Sequence, residues 1–513
     1  MPKLSWSHEQ LTYFNALEKA YNSPNNSLVK VQAVAGAAKS SSTVEAIKRI
    51  YDKDPNVKVR YTTFNTAMAQ ESKTAFGTTA IASTLHALAY HYTVKPFKLN
   101  QDIAPWLTYK DIPPNIKVPF GSLPLILETL NVYFESGYTD FQAFVANEID
   151  EPAWTMLVYM AANLILDAMA TGKMRITHSF YLKLFHILVK SGQIKLKHED
   201  ILIVDECQDL NLITLDVFNL YPAKVKVIIG DQAQSIYQFM GCISAFDFYK
   251  NQGTTYHLTT SFRVSNHIAT QVEDFCQTHI NPDMQFKGID YQSHQIKTHA
   301  YIFRTNLAMI KKMIELNKTK TPYKLVTKQK VKQLFELPLA LIYATPGHTQ
   351  FSQNLKVIQE TVDKWGKLNE HTRPAKLSYL ASALTEVPAI SQAIKFIMAV
   401  GPEEIVDAYN HAEEHMKAHS NLYLMTSHTS KGLTMDEVTL DDSMNNAIEE
   451  VIRLPLNERL AEEQAEVFNY YVACTRARYK LNNAKHLKPT KEDEFDKAIS
   501  DNLKRFLQED IDL

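Results

Sequence analysis

The sequence has 513 residues, of which 45% are hydrophobic and 21% are charged, so it is neither disordered nor fibrous and has room for about three or four domains. With 54 basic and 56 acidic residues, its net charge of -2 excludes a strongly basic, generally nucleic-acid-attracting molecule but leaves room for a local basic groove. The four cysteines are widely spaced and form no C-x-x-C pair, which argues against a disulfide framework and a structural zinc and favours a reducing compartment.

The apolar segments of the sequence are too short to predict a membrane span, which needs about 18 apolar residues or more. The strongest run, from Trp154 to Ala170, is interrupted by Asn163 and Asp167 and predicts a buried helix. The first residues are polar and have no hydrophobic segment typical of a signal peptide. We therefore expect a soluble intracellular protein with no membrane partner, cytoplasmic in a bacterium or virus and nuclear in a eukaryote.

The first predicted elements alternate between strands and helices. In chain order they are the strand Val29–Ala35, the helix Ser42–Tyr51, the strand Val57–Phe64 and the helix Ala67–Thr74. This order is typical of a parallel α/β sheet. After an aromatic-rich, helical stretch over residues 92–195, the pattern returns with the short strands Ile201–Val204 and Val225–Ile229.

The second half of the sequence opens with a basic cluster. From Lys297 to Lys332 there are about ten Lys or Arg residues and one acid, Glu315. Such a cluster fits a surface that faces a polyanion and equally fits a solvated helix face. Residues 335–418 are predicted to be helical and carry no motif, and a last α/β block runs from about 420 to 485 before a Lys- and Glu-rich tail.

The segment Val31–Ser40, VQAVAGAAKS, leads from a strand through a short loop into a helix. In a phosphate-binding loop of this kind, backbone N–H groups hold the phosphates, Lys39 reaches the β- and γ-phosphates, and Ser40 binds Mg²⁺. The general pattern G-x-x-x-x-G-K-[ST] is broken because Ala33 and Ala38 stand at the two glycine positions. Taken alone, the segment is as compatible with chance as with a nucleotide site.

A pair of carboxylates follows the predicted strand in ILIVDECQDLN, residues 201–211. Ligands of open α/β sheets gather at the carboxyl ends of the strands. Asp205 is therefore a candidate for Mg²⁺ binding, and Glu206 is a candidate for orienting and deprotonating an attacking water. Paired acids also occur at helix starts, although Gln208 and Asp209 just downstream favour a site.

Eight further segments are notable for their order along the chain. The first four are TTFNTAMAQES from Thr62, TLHALAY from Thr84, THSFYLKLF from Thr177 and GDQAQSIYQFMG from Gly230. The others are LTTSFRVSNHIA from Leu258, YIFRTN from Tyr301, TSHTSKGLTMDEV from Thr426 and EEQAEVFNYYVACTRARYKL from Glu462. With the phosphate loop and the acidic pair, they resemble the motifs of UvrD/Rep-type superfamily 1 DNA helicases, most of all the F-box DNA helicase branch and its viral relatives.

The resemblance implies an ATP and Mg²⁺ site. Its catalytic residues would be Glu206, Gln234, Arg263 and Arg476, with Gln234 sensing the γ-phosphate and the arginines contacting it. Its nucleotide-binding residues would be Gln10 at the adenine, Phe262 stacked on the adenine, Gly432 nearby, and Ala35, Gly36, Ala37, Ala38, Lys39, Ser40 and Ser41 at the phosphates. Ser40 and Asp205 would bind the metal.

The resemblance also implies a single-stranded DNA surface. Its residues would be Phe64, Asn65, His86, Tyr237, Phe239, Arg304, Thr426 and His428. Met240 and Thr434 stand where many relatives have Arg and Glu, so those two contacts are not expected here. Taken singly, the aromatic residues also fit a hydrophobic core, the histidines a buried hydrogen bond and the arginines a surface ion pair; the ordered set favours the functional interpretation.

The fold implied is α/β, with two RecA-like parallel-sheet P-loop motor domains and helical accessory insertions. The boundaries would be 1–91 and 196–290 for the first motor domain, 92–195 for its insertion, 291–334 and 419–490 for the second, 335–418 for a reduced accessory region, and 491–513 for a tail.

The activity implied is ATP-dependent translocation on single-stranded DNA or DNA with a single-stranded tail, in the 3′→5′ direction, by a monomer. The pathway would be replication, recombination or repair, with proteins of those processes as partners. The alternative is a catalytically weakened, helicase-like DNA-binding or adaptor protein, because of Ala38.

Overall fold

The computed structural model describes residues 6–63, 65–119, 121–151, 154–236, 242–291, 295–345, 356–366, 373–384 and 387–489. The chain divides into two compact units, with the boundary between Thr259 and Thr260. Each unit is built around its own parallel β-sheet.

The first unit contains a six-stranded sheet in which every described pair of strands is parallel. The strands are β1 Ser27–Ala33, β2 Val59–Thr63, β3 Ile81–Thr84, β4 Glu199–Asp205, β5 Ala223–Gly230 and β6 Thr254–Leu258. Their spatial order is β3-β2-β4-β5-β1-β6. Strand β5 pairs with β4 on one side and with β1 on the other. The apolar residues of these central strands are buried because helices cover a parallel sheet on both faces.

The helices of the first unit connect these strands and build an insertion between β3 and β4. They are α1 His8–Asn22, α2 Lys39–Tyr51, α3 Thr66–Phe76, α4 Leu85–Thr93, α5 Leu123–Glu135, α6 Phe141–Glu148, α7 Met156–Ala170, α8 His178–Lys190, α9 Leu212–Leu220 and α10 Ala245–Phe248. Several begin at a residue whose side chain accepts a hydrogen bond from the first turn, including Asn65, Thr84, Thr155 and Thr177. Helices α5 to α8 share one hydrophobic core.

The second unit contains a five-stranded parallel sheet and a separate pair of strands. The strands are β7 Thr260–Ser265, β8 Lys287–Ile289, β9 His299–Phe303, β10 Lys324–Leu325, β11 Leu422–Thr426, β12 Met435–Leu440 and β13 Ala477–Asn482. Strands β7 and β8 pair with each other, and the larger sheet has the order β10-β11-β9-β12-β13.

The helices of the second unit fall into two groups. Helices α12 to α18 share one apolar core with strands β9, β10 and β11. Helices α11 and α19 to α21 form the other group. The helices are α11 Asn266–His279, α12 Asn306–Lys318, α13 Val331–Leu334, α14 Glu336–Tyr343, α15 Lys356–Gly366, α16 Arg373–Ala383, α17 Pro388–Val400, α18 Pro402–Lys417, α19 Ser427–Ser430, α20 Asp442–Ile448 and α21 Ala461–Cys474.

The predicted α/β class is confirmed, since parallel sheets with flanking helices form both units. The predicted end of the first motor domain at residue 290 stays a prediction. The contacts place residues 260–289 with the second unit, where β7 packs against β13 and α11 packs against α21.

The apolar run Trp154–Ala170 predicted a buried helix, and that prediction is confirmed for the helix but wrong for the burial of all its apolar residues. The run does form a helix, α7, but Met156, Leu157, Met160 and Leu164 are exposed rather than buried. The reason is that only one side of α7 faces the core shared with α5, α6 and α8. Among the described residues, no helix is long and apolar enough to cross a membrane.

Candidate active site

The loop between β1 and α2 contains two residues with positive φ just before the helix begins. Gly36 has a φ of 78° and Ala38 has a φ of 56°, in the left-handed region. Ala38 is the N-cap of α2 and its side chain caps nothing, and the first turn of the helix has no acidic residue. Since the helix dipole favours an anion at such an end, this loop can receive phosphate groups.

The alanine in the phosphate loop adopts a conformation that glycine would adopt without strain. Left-handed backbone costs an L-residue about 1–2 kcal/mol. Ala38→Gly is therefore expected to raise the free energy of unfolding by about 0.5–1 kcal/mol. Ala37→Gly is the matched control, because Ala37 is buried outside the left-handed region, and it is expected to lower that free energy. Denaturant unfolding of both variants checks this, and a less stable Ala38→Gly variant would contradict it.

Asp205 ends β4 and lies almost fully buried at the start of α2. Its Oδ2 accepts a hydrogen bond from Ser40 Oγ at 3.3 Å and another from the Tyr61 hydroxyl, while its Oδ1 accepts from Glu206 N at 2.9 Å. Burial, and next the charge of Glu206, raise the pKa of Asp205. Burial raises the pKa of Tyr61 well above its usual value, so this hydroxyl stays protonated and donates to the carboxylate.

Glu206 follows with a φ of 55°, a left-handed conformation that turns its side chain toward the phosphate loop. One carboxylate oxygen lies 3.8 Å from Lys39 Nζ. The other accepts a hydrogen bond from Gln208 Nε2 at 2.6 Å. Backbone strain of this kind is found at functional sites, where the surroundings hold the residue in place.

A chain of buried amides connects the acidic strand end to the end of β5. Gln208 Oε1 accepts from Asp231 N at 3.2 Å, and Gln234 Nε2 donates to Asp231 Oδ2 at 2.6 Å. Gly230 makes room for this, because a Cβ there would lie 2.3 Å from Gln208 Oε1. Gln234, the predicted γ-phosphate sensor, is thus fixed by its hydrogen bond to Asp231 and lies at the same edge of the sheet as Asp205.

The predicted adenine-reading residue Gln10 belongs to the same neighbourhood. Its Nε2 donates to Ser42 Oγ at 2.9 Å, and its Oε1 accepts from Ser7 N at 2.9 Å. Ser42 Oγ in turn donates to Ala38 O at 2.8 Å, which ties Gln10 to the phosphate loop. Both amide atoms are used within the chain, so adenine recognition by Gln10 stays a prediction.

The donor set fits Mg²⁺ with a nucleotide. Ser40 supplies a hydroxyl and Asp205 a carboxylate that are already in contact, and oxygen ligands of this kind are those that Mg²⁺ prefers. Ala35 and Ala37 are buried in the loop, whereas Ser40 and Ser41 are exposed at the helix start. The structure thus brings together the predicted phosphate-binding, metal-binding and water-activating residues of the first unit.

The predicted DNA-binding residues of the first unit are placed unevenly. Asn65 is the N-cap of α3, where its Oδ1 accepts from Met68 N at 2.9 Å. His86 lies in the first turn of α4, with its ring 5.9 Å from the ring of His178 between centroids. Phe64, Tyr237 and Phe239 fall outside the described residues.

His86 is neutral in the folded protein at pH 7. Burial, and next the charge of His178, lower its pKa to about 4, and its Nδ1 has no hydrogen-bond partner among the described residues. Between pH 6.5 and 4 the unfolded chain binds a proton at this histidine that the folded chain does not. The free energy of unfolding therefore decreases as the pH is lowered through that window. His86→Phe is expected to remove about 3 kcal/mol of this fall. Denaturant unfolding at both pH values checks it, and equal falls in the variant and the wild type would contradict it.

The predicted catalytic and nucleotide-binding residues of the second unit differ in exposure, from buried Arg476 to exposed Gly432. Arg476 is 1% exposed, and its guanidinium donates to Val472 O at 2.8 Å and to Thr475 Oγ1 at 3.1 Å. Phe262 and Arg263 lie on β7 and are partly exposed. Their roles, and that of Gly432 with a φ of 90°, stay predictions.

The predicted DNA-binding residues of the second unit lie near the carboxyl ends of β9 and β11. Thr426 is the N-cap of α19, and His428 belongs to that helix. Arg304 forms a two-pronged ion pair with Glu466 on α21. A DNA phosphate would have to compete with that carboxylate, so contact between Arg304 and DNA stays a prediction.

Sequence reasoning missed Tyr61 and gave no role to Gln208 and Asp231. Tyr61 lies on β2 next to β4, in register with Ile203, two residues before Asp205. A tyrosine in an otherwise buried strand was the available signal, because a buried hydroxyl needs a hydrogen-bond partner. The partner itself follows only from the order of the strands.

Comparison with known proteins supplies an independent line of evidence. The family model described as the UvrD-like helicase C-terminal domain matches residues 145–485, and one described as an AAA domain matches residues 16–240. The chain is 24% identical to F-box DNA helicase protein 1 of Schizosaccharomyces pombe over 88% of this chain and 55% of that protein. It is 23% identical to F-box DNA helicase 1 of Gallus gallus over 52% of this chain and 27% of that protein. The match thus spans about half, or less, of the length of these relatives.

Proposed function

Because this chain belongs to the UvrD-like helicase family, we propose that it hydrolyses ATP to move along single-stranded DNA. The observation that carries the proposal is the convergence of Lys39, Ser40, Asp205 and Glu206 at one sheet edge. These are a phosphate-binding cation, two metal-binding oxygens and a general base, the set that phosphoryl transfer to water requires.

The residues of this site divide the chemical work among them. The N-terminus of α2 and the Lys39 ammonium bind and orient the phosphates. Ser40 and Asp205 would hold Mg²⁺, which neutralises charge on the phosphates when it is bound. The Tyr61 hydroxyl and Glu206 N fix the Asp205 carboxylate for that purpose.

Glu206 accepts the proton of the attacking water. Its carboxylate is aimed by Lys39 on one oxygen and by Gln208 on the other, which keeps it in a single orientation. Gln234 is held by Asp231 at the same edge and is proposed to contact the γ-phosphate. From the family resemblance, Arg263 and Arg476 are proposed to meet the charge of the transition state.

Single-stranded DNA, or DNA with a single-stranded tail, is the proposed track. The two similar proteins are named as DNA helicases, and the DNA-facing motifs of this chain are those from Thr62, Thr84, Gly230 and Thr426. Movement from 3′ to 5′, action as a monomer, and a role in replication, recombination or repair are part of the proposal.

Steady-state ATP hydrolysis with and without single-stranded DNA tests this proposal. We expect DNA to stimulate turnover in the presence of Mg²⁺. The binding of labelled single-stranded DNA at increasing salt is measured in parallel, because phosphate contacts make affinity fall with salt. Turnover that DNA leaves unchanged would contradict the proposal.

The second candidate function is a non-hydrolysing DNA-binding or adaptor protein. The observation that favours it is Ala38, whose Cβ lies at the helix start where phosphates would approach. Salt-sensitive DNA binding without turnover, together with turnover restored in Ala38→Gly, would establish this function. The motor is favoured because the loop keeps its left-handed conformation with alanine in place.

A further inference from the structure

Helix α7 of the first unit carries apolar side chains on two opposite faces. One face, including Val158, Ala162 and Ile165, is buried in the core of the insertion. The other face carries Met156, Leu157, Met160 and Leu164, which are 71%, 66%, 54% and 49% exposed. We call these four residues the Met-Leu stripe. Their spacing of three and four residues places them together along one side of the helix.

The sequence around the stripe is acidic. Residues 121–170 contain seven Asp or Glu and no Lys or Arg, in a chain with 54 basic residues. The seven acids are all exposed, and they are Glu128, Glu135, Asp140, Glu148, Asp150, Glu151 and Asp167. Asp150 and Glu151 precede α7, and Asp167 follows Leu164 by three positions on the same face, so acids stand at both ends of the stripe.

This combination selects among the partners that could cover the stripe. Nucleic acid and anionic lipid surfaces are repelled by the acids Asp150, Glu151 and Asp167 at the two ends of the stripe. A second copy of this chain, paired through the same face, would bring acids against acids. A helix with an apolar face bordered by Lys or Arg matches both the stripe and its acidic ends.

We propose that the Met-Leu stripe binds a basic amphipathic helix of a partner protein. Its apolar residues would pack along Met156, Met160 and Leu164, and its basic residues would pair with the acids at the ends. Unbranched methionine side chains adapt to different partner surfaces, which suits two of the four stripe residues to this role. The proposal is independent of ATP hydrolysis, since the helices that carry the candidate active site are α1 and α2.

Binding of synthetic peptides to the whole protein tests the proposal. One probe is a labelled amphipathic helical peptide with Leu on one face and Lys on the other. The second probe is the same peptide with Glu in place of each Lys. We expect the Leu–Lys peptide to bind at micromolar concentration, more weakly as salt rises, and the Leu–Glu peptide to bind at least about tenfold more weakly.

Two variants and one control connect that binding to the stripe. The double variant Met160→Gln with Leu164→Gln is expected to weaken Leu–Lys binding about tenfold or more. Asp167→Lys, which changes charge without touching the core, is expected to weaken it too. Met398→Gln, on α17 of the second unit, is the matched control, because Met398 is a methionine with 60% exposure, and it is expected to leave binding unchanged.

Three results would overturn the proposal. Equal binding of the Leu–Lys peptide to wild type, double variant and Asp167→Lys would show that the stripe is no binding site. Dimers in sedimentation that the double variant abolishes would assign the stripe to a second copy of the chain. Binding to phosphatidylserine vesicles that the double variant abolishes would assign it to a lipid surface.

Discussion

Glu206→Gln is expected to lower DNA-stimulated ATP hydrolysis by about 10³-fold while leaving ATP binding intact. The amide cannot accept the proton of the attacking water. It can still accept the hydrogen bond from Gln208 Nε2, so the geometry of the strand end is kept. Steady-state turnover and the affinity for a fluorescent ATP analogue, measured on the same preparation, check both halves of this prediction.

Glu45→Gln is the matched control for that substitution. Glu45 is on α2, close in sequence to the phosphate loop, but it pairs with Arg49 on the helix surface. A surface pair of this kind contributes little, so turnover is expected to stay within about twofold of the wild type. A Glu206→Gln variant that hydrolyses ATP as fast as Glu45→Gln would remove Glu206 from the proposed role of general base.

Lys39→Met is expected to weaken ATP binding about 100-fold, which corresponds to about 2.7 kcal/mol. The change removes the ammonium that is proposed to bind the phosphates and keeps an unbranched side chain of similar length. Charge-assisted hydrogen bonds of this kind contribute about 1.5–3 kcal/mol each. Titration with the fluorescent ATP analogue measures the change directly, without relying on turnover.

Lys48→Met provides the comparison on the same helix. Lys48 is exposed in the last turn of α2, away from the phosphate loop, and its loss is expected to leave ATP affinity unchanged. If Lys39→Met and Lys48→Met bind ATP as tightly as the wild type, the loop between β1 and α2 is not the phosphate site.

Much of the fold and the family could be predicted from the sequence. The apolar runs in β1, β4 and β5 predicted a parallel sheet because such strands are buried on both faces. The ordered motifs predicted a UvrD-like helicase close to the F-box DNA helicases, and both parts of that prediction are confirmed. The acidic pair was informative because polar residues at a strand end collect at one edge of the sheet.

Other features depend on contacts between residues distant in the sequence. Tyr61 meets Asp205 only because β2 lies beside β4, although the helical insertion separates them along the chain. The pairing of Arg304 with Glu466 likewise joins two elements that no local pattern relates. The exposed face of α7 could not be predicted from its apolar residues, because composition does not tell how many neighbours a helix has.

Displacement of streptavidin from biotin-labelled single-stranded DNA tests most directly whether this protein is an ATP-driven motor. One oligonucleotide carries biotin at its 5′ end and another at its 3′ end, and each is followed with ATP and without it. We predict that ATP accelerates displacement from the 5′ end, as a 3′→5′ motor requires, and that Glu206→Gln does not respond to ATP. Displacement that ATP accelerates from neither end, by a protein that binds the DNA, would contradict the account.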